Sequence, residues 1–256
     1  MEVTVIGSSI SWTDRPASCY ALGKDILIDC GEGTSKYLEK NGIDFLKVKH
    51  IFITHIHSDH CVSLLQFLCQ HIQYNPAEKY KTLSIYGPKN FKKFLTDMAS
   101  LFKVLFENDD IEKYIIIVEI DDFSKIIEID GYTVTMHELK HGRLVDIGYV
   151  FNDGKTKFGF SGDCTYTPNL DNFVNECDVM FLECCGESTT ENHLGYDWYS
   201  KFQNENLDKT FFAIHCINKV FFNAEELKIN VVDTGDRIVI ENNKITKNGK
   251  NIIKNM

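Results

Sequence analysis

The chain has 256 residues, 43% of them hydrophobic, so it can bury the core of one α/β domain spanning residues 1–256. Its formal net charge of −10 disfavours a long nucleic-acid surface, because such affinity comes largely from cationic neutralisation of phosphates. The nine cysteines form no C-x-x-C pair, and no apolar run is long enough to span a membrane. We therefore expect a cytoplasmic protein with free thiols and no membrane contact.

Strand-like and helix-like segments alternate in the first half of the chain. The strand-like run Val3–Ile6 begins two residues after Met1, and we expect no signal segment before it. Short β-branched runs between turn-forming residues are typical of strands. The predicted strands are Val3–Ile6, Ile26–Asp29, Ile51–Thr54 and Leu83–Tyr86; one predicted helix ends at about Lys40, a second ends at about His71, and a third begins at Pro88.

The second half begins with several strand-like segments and then alternates helix and strand again. Together the two halves indicate an α/β fold in which each half supplies a sheet and helices. The predicted strands are Ile115–Ile120, Ile126–Ile129, Tyr132–Glu138, Ile147–Phe151, Phe158–Ser161, Val179–Leu182 and Phe211–Ile214, with a helix at Trp198–Asn204 and a peripheral strand between Asn242 and Met256.

The densest chemical signal lies directly after the strand-like run Ile51–Thr54. His55, His57, Asp59 and His60 place three histidines and an aspartate within six positions. Alternate residues on extended backbone point the same way, so His55 and His57 can bind one divalent ion. If the backbone turns into a helix at Ser58, Asp59 and His60 address a second ion. The alternative is a solvated histidine-rich loop, which the apolar run before the motif and the helical pattern after it disfavour.

Further motifs follow in a fixed order along the chain, and with the histidine motif they resemble the metallo-β-lactamase superfamily of hydrolases. The likeness is to its ribonuclease Z-like and phosphodiesterase branch, without the tRNA-binding arm. It implies an αββα four-layer sandwich of two similar halves packed sheet to sheet. The motifs are Asp29-Cys30-Gly31-Glu32-Gly33-Thr34, Ile85-Tyr86-Gly87-Pro88, His141-Gly142, Gly148-Tyr149-Val150-Phe151, Phe160-Ser161-Gly162-Asp163 and Phe211-Phe212-Ala213-Ile214-His215.

The chemistry of these residues and the resemblance together imply a two-metal centre with seven ligands. The ions would lie roughly 3.5–4 Å apart with a hydroxide between them, and zinc, manganese or iron would suit the donors. Asp163 could instead be a turn residue, His215 a core histidine, and His137 a rival to His141. One ion is assigned His55, His57 and His141, the other Asp59, His60 and His215, and Asp163 bridges them.

Two differences from other branches of the superfamily reduce the number of reactions that this chain is expected to catalyse. Zinc β-lactamases have a cysteine ligand where this chain has Asp163, so antibiotic hydrolysis is disfavoured, and the adjacent Cys164 is interpreted as a buried thiol. The di-iron oxygen and nitric oxide reductases have a glutamate at the position of His57, which disfavours redox chemistry. Hydrolysis of a phosphodiester remains, because two metals can neutralise its developing charge.

A proton donor for the leaving group is the other requirement of that reaction. His193 matches in place the histidine that ribonuclease Z-like enzymes use near the leaving group, and an imidazole suits a general acid at neutral pH. Glu183 or Glu187 could orient and charge it. The alternative is a helix N-cap or an exposed loop histidine. His193, Asp59 and Glu183 are therefore the candidate catalytic residues.

The spacing between two motifs bears on the substrate. Only 22 positions separate His141 from Asp163, which leaves no room for the arm that ribonuclease Z uses to hold tRNA. A local basic stretch could hold an RNA phosphate but is more often a solvated surface; it comprises Lys79, Lys81, Lys89, Lys92 and Lys93.

A small cyclic or nucleotide-derived phosphodiester is therefore favoured over RNA. Phosphoribosyl cyclic phosphodiesterase is a less good match, because its cysteine-rich zinc site is missing and only Cys19 and Cys30 lie near the first strand. Three alternatives stay open: a ribonuclease Z-like endoribonuclease, a thioesterase or lactonase of the glyoxalase II type, and a non-catalytic metal-binding regulator. Trp12 is a candidate for the surface of a homodimer.

Overall fold

Two β-sheets with associated helices make up the computed structural model, which describes residues 1–74, 83–101, 115–241 and 244–252. The contacts of the chain divide it into two compact units. The prediction of a single domain over residues 1–256 stays a prediction. The first unit comprises Met1–Gly7, Arg15–Asp121 and Thr234–Gly249, and the second comprises Ser8–Asp14, Asp122–Asp233 and Lys250–Met256.

The strands of the described residues are numbered in chain order. They are β1 (Glu2–Gly7), β2 (Cys19–Leu22), β3 (Ile26–Ile28), β4 (His50–Phe52), β5 (Leu83–Pro88), β6 (Ile115–Ile120), β7 (Ile127–Ile129), β8 (Tyr132–His141), β9 (Leu144–Asn152), β10 (Lys157–Phe160), β11 (Val179–Glu183), β12 (Thr210–Ile214), β13 (Arg237–Glu241), β14 (Lys244–Lys247) and β15 (Lys250–Asn251).

The helices are numbered in the same way. They are α1 (Thr34–Tyr37), α2 (Ser58–Cys61), α3 (Leu64–Tyr74), α4 (Phe91–Leu101), α5 (Pro168–Glu176), α6 (Tyr196–Glu205), α7 (Asn218–Phe222) and α8 (Ala224–Leu227), with short 3-10 turns at Glu39–Asn41 and Phe45–Lys47. Within the described ranges, no helix combines the length and the apolar character that crossing a bilayer requires.

The described residues of the first unit form eight strands in the order β14-β13-β1-β2-β3-β4-β5-β6, of which β3 to β6 pair in parallel. Helix α3 packs on the core of this unit through residues spaced three or four apart, Leu64, Phe67, Leu68 and His71, which are all buried. Because parallel strands end at the same edge of a sheet, the residues that follow β3 and β4 are brought together.

The second unit carries a six-stranded sheet in the order β12-β11-β10-β9-β8-β7. Its strands β10, β11 and β12 are parallel, whereas β7 to β10 form an antiparallel meander. Asp163 follows β10, Glu183 ends β11, and His215 follows β12. Three neighbouring parallel strands therefore deliver three polar side chains to one edge of the sheet.

Several predicted boundaries are wrong. Pro88 does not begin a helix: it is the last residue of β5 and lies opposite Ile120 of β6, and α4 starts at Phe91 after Asn90, whose φ is 68°. At a strand end, the missing amide hydrogen of proline costs the ladder little. The helix predicted to reach Lys40 ends at Tyr37.

Two further differences concern strands. No predicted element covers β2, because its four residues, Cys19–Leu22, are all buried and show no alternation between apolar and polar side chains. The single peripheral strand predicted between Asn242 and Met256 is present as β14 and the two-residue β15, both with exposed or half-buried side chains.

Candidate metal centre

The histidine motif of the first unit is held by a buried carboxylate. Asp29 follows β3 with a left-handed φ of 59°. Its Oδ1 accepts a hydrogen bond from the Thr54 amide at 2.9 Å, and its Oδ2 accepts from Thr54 Oγ1 at 3.1 Å and from His60 Nδ1 at 2.7 Å. Burial raises the pKa of Asp29, and His60 opposes that shift only in part. Because Nδ1 of His60 is engaged, Nε2 is the nitrogen it can offer to a metal ion.

Three imidazole rings lie side by side in this motif. The ring centroid of His55 lies 4.1 Å from that of His60 and 4.8 Å from that of His57. His55 and His60 are buried, Asp59 is half-buried and His57 is exposed. The predicted turn into a helix at Ser58 is confirmed, since α2 begins there after an extended His57. Strand β4, however, ends at Phe52, two residues earlier than predicted.

A close backbone approach fixes this loop against the turn that carries Asp29. A Cβ on Gly31 would lie 2.0 Å from the Asp59 carbonyl oxygen, so only glycine fits there. The Cys30 amide donates to the His60 carbonyl at 2.7 Å, and the Ser63 amide donates to the Cys30 carbonyl at 3.1 Å. The glycine of the Asp29-to-Thr34 motif therefore has a steric role in placing the histidine loop.

In the second unit, His141 and Asp163 lie within reach of a single ion. His141 is the last residue of β8, and its Nδ1 donates to the Asn192 carbonyl at 2.7 Å, which leaves Nε2 for a metal. That Nε2 lies 3.8 Å from Asp163 Oδ2. Donors about 2.0–2.2 Å from one zinc ion can be separated by at most about 4.3 Å, so this pair fits a shared ion.

The two carboxylate oxygens of Asp163 lie near different histidines. Oδ1 is 3.2 Å from His215 Nδ1, whereas Oδ2 faces His141. The side chain is buried, and its backbone amide donates to Asp146 Oδ2 at 3.0 Å. His215 is buried as well and has a φ of 54° directly after β12.

Glu183 is the central acceptor of the second unit. It is fully buried, and its Oε1 accepts hydrogen bonds from His193 Nδ1 at 2.7 Å and from His215 Nδ1 at 2.9 Å. Its Oε2 accepts from the backbone amides of Cys164 at 2.7 Å and Leu194 at 3.1 Å. One carboxylate therefore orients two imidazoles and is itself held by two amides.

His193 is the partly exposed histidine of this group, with 31% of its side chain accessible. Burial lowers its pKa, but the hydrogen bond and negative charge of Glu183 outweigh that effect and leave the pKa above its ordinary value. Its loop is a tight turn in which the Thr190 amide donates to the His193 carbonyl at 2.8 Å. His193 does not cap a helix, because Gly195 is the N-cap of α6.

The structure gives the contacts or burial of three residues that the sequence left as alternatives or neighbours of the proposed site residues. His137 Nε2 is paired with Glu176 Oε2 at 2.7 Å and packs against Phe173, which fits its predicted structural role. Cys164 is fully buried, as predicted. Glu187 pairs with Lys219 on the surface, whereas Glu183 accepts a hydrogen bond from His193, so Glu183 is the carboxylate that holds this histidine.

The basic stretch is only partly covered by the structure. Lys79 and Lys81 lie outside the described residues. Lys93 is largely exposed and paired with Asp97 one helical turn away, at 2.5 Å. That pairing matches the interpretation of the stretch as a solvated surface.

Three contributors to the site had no role assigned from the sequence. Asp29 carried only a local signal, since it ends a strand-like run and opens the Asp29-to-Thr34 motif, whereas its role depends on the pairing of β3 with β4. The Asn192 carbonyl carried none, because a backbone acceptor leaves no trace in residue type. Cys185 lies in a group with Glu183, His193 and His215 whose donor atoms are all within 4.8 Å of one another.

Comparison with known protein families gives one match over most of the chain. The family model described as Anti-Pycsar protein Apyc1 matches residues 17–220. Ribonuclease Z of Bacteroides fragilis is 32% identical over 160 residues, 59% of this chain and 48% of that protein. Ribonuclease Z of Pyrococcus furiosus is 29% identical over 148 residues, 57% of this chain and 44% of that protein. The chain thus spans about half the length of these curated relatives.

Solved structures show the fold. The metallo-β-lactamase fold protein YhfI from Bacillus subtilis has a TM-score of 0.72 at 18% identity, covering 92% of this chain and 97% of that one. The short form of human tRNase Z has a TM-score of 0.71 at 20% identity, covering 94% and 100%. A diphosphatase from the PhnP family has a TM-score of 0.71 at 17% identity, covering 94% and 98%. The predicted metallo-β-lactamase fold is therefore confirmed.

Proposed function

The chain belongs to the family described as Anti-Pycsar protein Apyc1, and we propose that it is a two-metal phosphodiesterase acting on a small cyclic or nucleotide-derived phosphodiester. The observation that carries the proposal is the arrangement of Asp163 and Glu183 in the second unit. Asp163 has a histidine near each carboxylate oxygen, as a bridging ligand requires, and Glu183 holds a half-exposed histidine beside it. That combination supplies metal ligands and a proton donor in one group.

The ligand assignment made from the sequence is part of this proposal. Imidazole and carboxylate donors suit zinc, manganese and iron alike, and zinc is our first choice. When bound, such ions supply Lewis acidity and a nucleophilic water at neutral pH. The proposed ligands are His55, His57, Asp59 and His60 of the first unit and His141, Asp163 and His215 of the second.

His193 is proposed as the general acid. Its Nδ1 is held by Glu183 at 2.7 Å, so Nε2 is the atom that can give a proton to the departing oxygen. The raised pKa keeps the ring protonated nearer to neutral pH, which a proton donor needs. Its partial exposure leaves the ring open to a substrate. Glu183 acts through His193 and is a positioning residue. Asp59 stays a proposed metal ligand and a proposed catalytic residue.

The segment between His141 and Asp163 supports a small substrate. It consists of β9, β10 and two tight turns, with no further element between those two ligands. An arm of the kind that the sequence analysis associates with tRNA binding is therefore missing from this part of the chain. The net charge of −10 points the same way, because a structured RNA is held chiefly through its phosphates.

A comparison of three substrate classes tests the proposal. Metal-loaded protein is assayed on bis(p-nitrophenyl) phosphate, on an acyl thioester and on a precursor tRNA, with chelated protein as the control. We expect metal-dependent turnover of the phosphodiester and little of the other two. Faster thioester cleavage would replace the proposal with a glyoxalase II-like activity, and cleavage of the precursor would replace it with a ribonuclease Z-like one. No turnover would favour a metal-binding regulator.

A homodimer is a second-rank proposal that rests on Trp12. This side chain is 97% exposed and sits on backbone with a φ of 69°. Aromatic residues are enriched in the buried centres of interfaces, which is the ground for this proposal. Sedimentation equilibrium of the wild-type protein and of Trp12→Ser tests it: we expect a dimer that weakens on substitution, and a wild-type monomer would contradict it.

A further inference from the structure

Cys185 occupies an unusual position among the cysteines. All nine lie in the described ranges; seven are buried, and only Cys69 and Cys185 are half-buried. The backbone of Cys185 is fixed on both sides, because its amide donates to the Leu194 carbonyl at 2.8 Å and its carbonyl accepts from the Ile217 amide at 2.9 Å. Its thiol is thus held between the loop that carries His193 and the turn that follows His215.

The thiol also has a chemical environment that the other cysteines lack. Its side chain forms a hydrogen bond with the ring of His215. Glu183, Cys185, His193 and His215 offer four donor atoms, all within 4.8 Å of one another.

We propose that these four residues form a binding site for a thiophilic divalent cation, such as cadmium or zinc in excess. Sulfur and nitrogen donors at about 2.0–2.3 Å from one ion can be up to about 4.4 Å apart, so closure needs shifts of only a few tenths of an ångström. Soft thiolate donors select such ions over magnesium or manganese. The site lies within the second unit and stands on its geometry alone.

Binding has a defined proton balance. One sulfur–metal bond, one oxygen–metal bond and two nitrogen–metal bonds form. The thiol proton of Cys185 is released to solvent. On a neutral ring of His193 or His215, the Nδ1 proton that otherwise faces Glu183 moves to Nε2, and on an imidazolium ring it is released, so that each metal-bound ring is neutral.

The consequence for hydrolysis rests on the proposed function. A histidine with a metal ion on Nδ1 cannot take up the second ring proton, so His193 can no longer act as an imidazolium acid. His215 belongs both to this site and to the proposed ligand set, and the ion would withdraw it as well. We infer that a thiophilic cation inhibits the enzyme at this site.

Titration of the metal-loaded protein with cadmium tests the inference. The ultraviolet charge-transfer band of a cadmium–thiolate bond reports binding without reference to activity, and phosphodiester turnover and the content of the original metals are measured on the same samples. Cys185→Ser is the test variant. Cys69→Ser, which removes the other half-buried thiol, is the matched control.

The wild type and Cys69→Ser should develop the band and lose activity over the same cadmium range. Cys185→Ser should lose the band, and its inhibition should need at least about tenfold more cadmium, because loss of a direct ligand costs no less than loss of an outer-shell partner. A band that persists in Cys185→Ser, or no band in the wild type, would overturn the site.

Two further variants distinguish a loss of cadmium binding from a loss of folding or of hydrolytic activity. Cys185→Ala, checked by circular dichroism, replaces the serine variant if that one is unfolded, and His193→Ala should weaken cadmium binding while keeping the thiolate band. If the wild type shows the band but hydrolyses no phosphodiester, the metal site is supported and the proposed function fails. Displacement of the original metals during inhibition, without a band, would contradict the site.

Discussion

The two units each contain a carboxylate that holds imidazole rings, but they use it differently. In the first unit, Asp29 is buried and binds one ring, that of His60, together with the hydroxyl and amide of Thr54. In the second unit, Glu183 is buried and binds two rings, those of His193 and His215, through the same oxygen.

The difference concerns whether the carboxylate orients only a metal ligand or also orients a proton donor. The ring that Asp29 orients belongs to His60 and is buried. The Asp29 carboxylate can therefore act only through a residue that is fixed inside the unit. Glu183 orients one buried ring and one that is partly open to solvent, so it can couple a metal ligand to a proton donor. We therefore expect substitution of Asp29 to change metal affinity, and substitution of Glu183 to change metal affinity and proton transfer together.

The largest effect is expected at Asp163. Replacing a bridging ligand removes several kcal/mol of transition-state stabilisation, so Asp163→Ala should lower turnover by about a thousandfold or more and lower the metal content. Cys164→Ala is the matched neighbour: only its backbone amide contacts Glu183, and the substitution keeps that amide. Steady-state rates with metal analysis measure both. Equal losses would mean that the wrong neighbour has been assigned.

The next largest effect is expected at His193. It tests whether the second unit supplies a proton donor in addition to metal ligands. His193→Ala should lower the rate on a diester with a sugar alkoxide leaving group by roughly a hundredfold to ten-thousandfold, with unchanged metal content. A diester that releases p-nitrophenolate needs little protonation and should be cleaved almost normally.

The control for this experiment is His137→Ala, which removes a histidine paired with Glu176 on the same sheet. It should leave the rates on both diesters unchanged. If His193→Ala slows both diesters in the same proportion, His193 holds substrate or structure and is not an acid.

A pair of isosteric substitutions tests the comparison itself. Asp29→Asn and Glu183→Gln each remove the charge that orients a ring, and each should weaken metal binding by roughly 10–100-fold. Only Glu183→Gln should also move the alkaline limb of the activity profile to lower pH, because Glu183 is what raises the pKa of His193. Competition with a chelator and rate–pH profiles measure the two effects. An equal shift of that limb in Asp29→Asn would remove the distinction between the units.

The smallest effect is on the stability of the metal-free protein. The pKa of His193 is higher in the folded chain than its ordinary value of about 6.5, so its contribution to stability is fully present below that value and is lost as pH rises through the raised pKa. Urea unfolding in the presence of a chelator should show a stability difference between wild type and His193→Gln at acidic pH that disappears in alkaline solution. A difference that grows with pH would contradict the pairing with Glu183.

The sequence was most informative where spacing alone decides geometry. The His55-to-His60 motif, its turn into a helix at Ser58, and the placement of Asp163 and His215 at the ends of strands all followed from short-range pattern. Those features depend on neighbours within a few residues. They could be predicted because a strand end and a helix start each have a local signature.

Other parts of the site depend on pairing between distant segments. The role of Asp29 needs the parallel pairing of β3 with β4, and Cys185 meets His215 only because β11 and β12 are neighbours. Pro88 fits a helix start and a strand end equally well by residue type, and only the pairing with β6 decides between them. Long-range pairing of this kind leaves no signal in a window of local sequence.

The most direct test of the two-metal phosphodiesterase is product analysis. Metal-loaded protein is incubated with a panel of cyclic mononucleotides in heavy-oxygen water, and the products are identified by mass spectrometry. We expect at least one ring-opened nucleoside monophosphate with a single heavy oxygen on phosphorus, formation that stops on chelation, and recovery with close to two metal equivalents. Product that forms equally well in chelated protein, or full activity with less than one metal equivalent, would contradict the account.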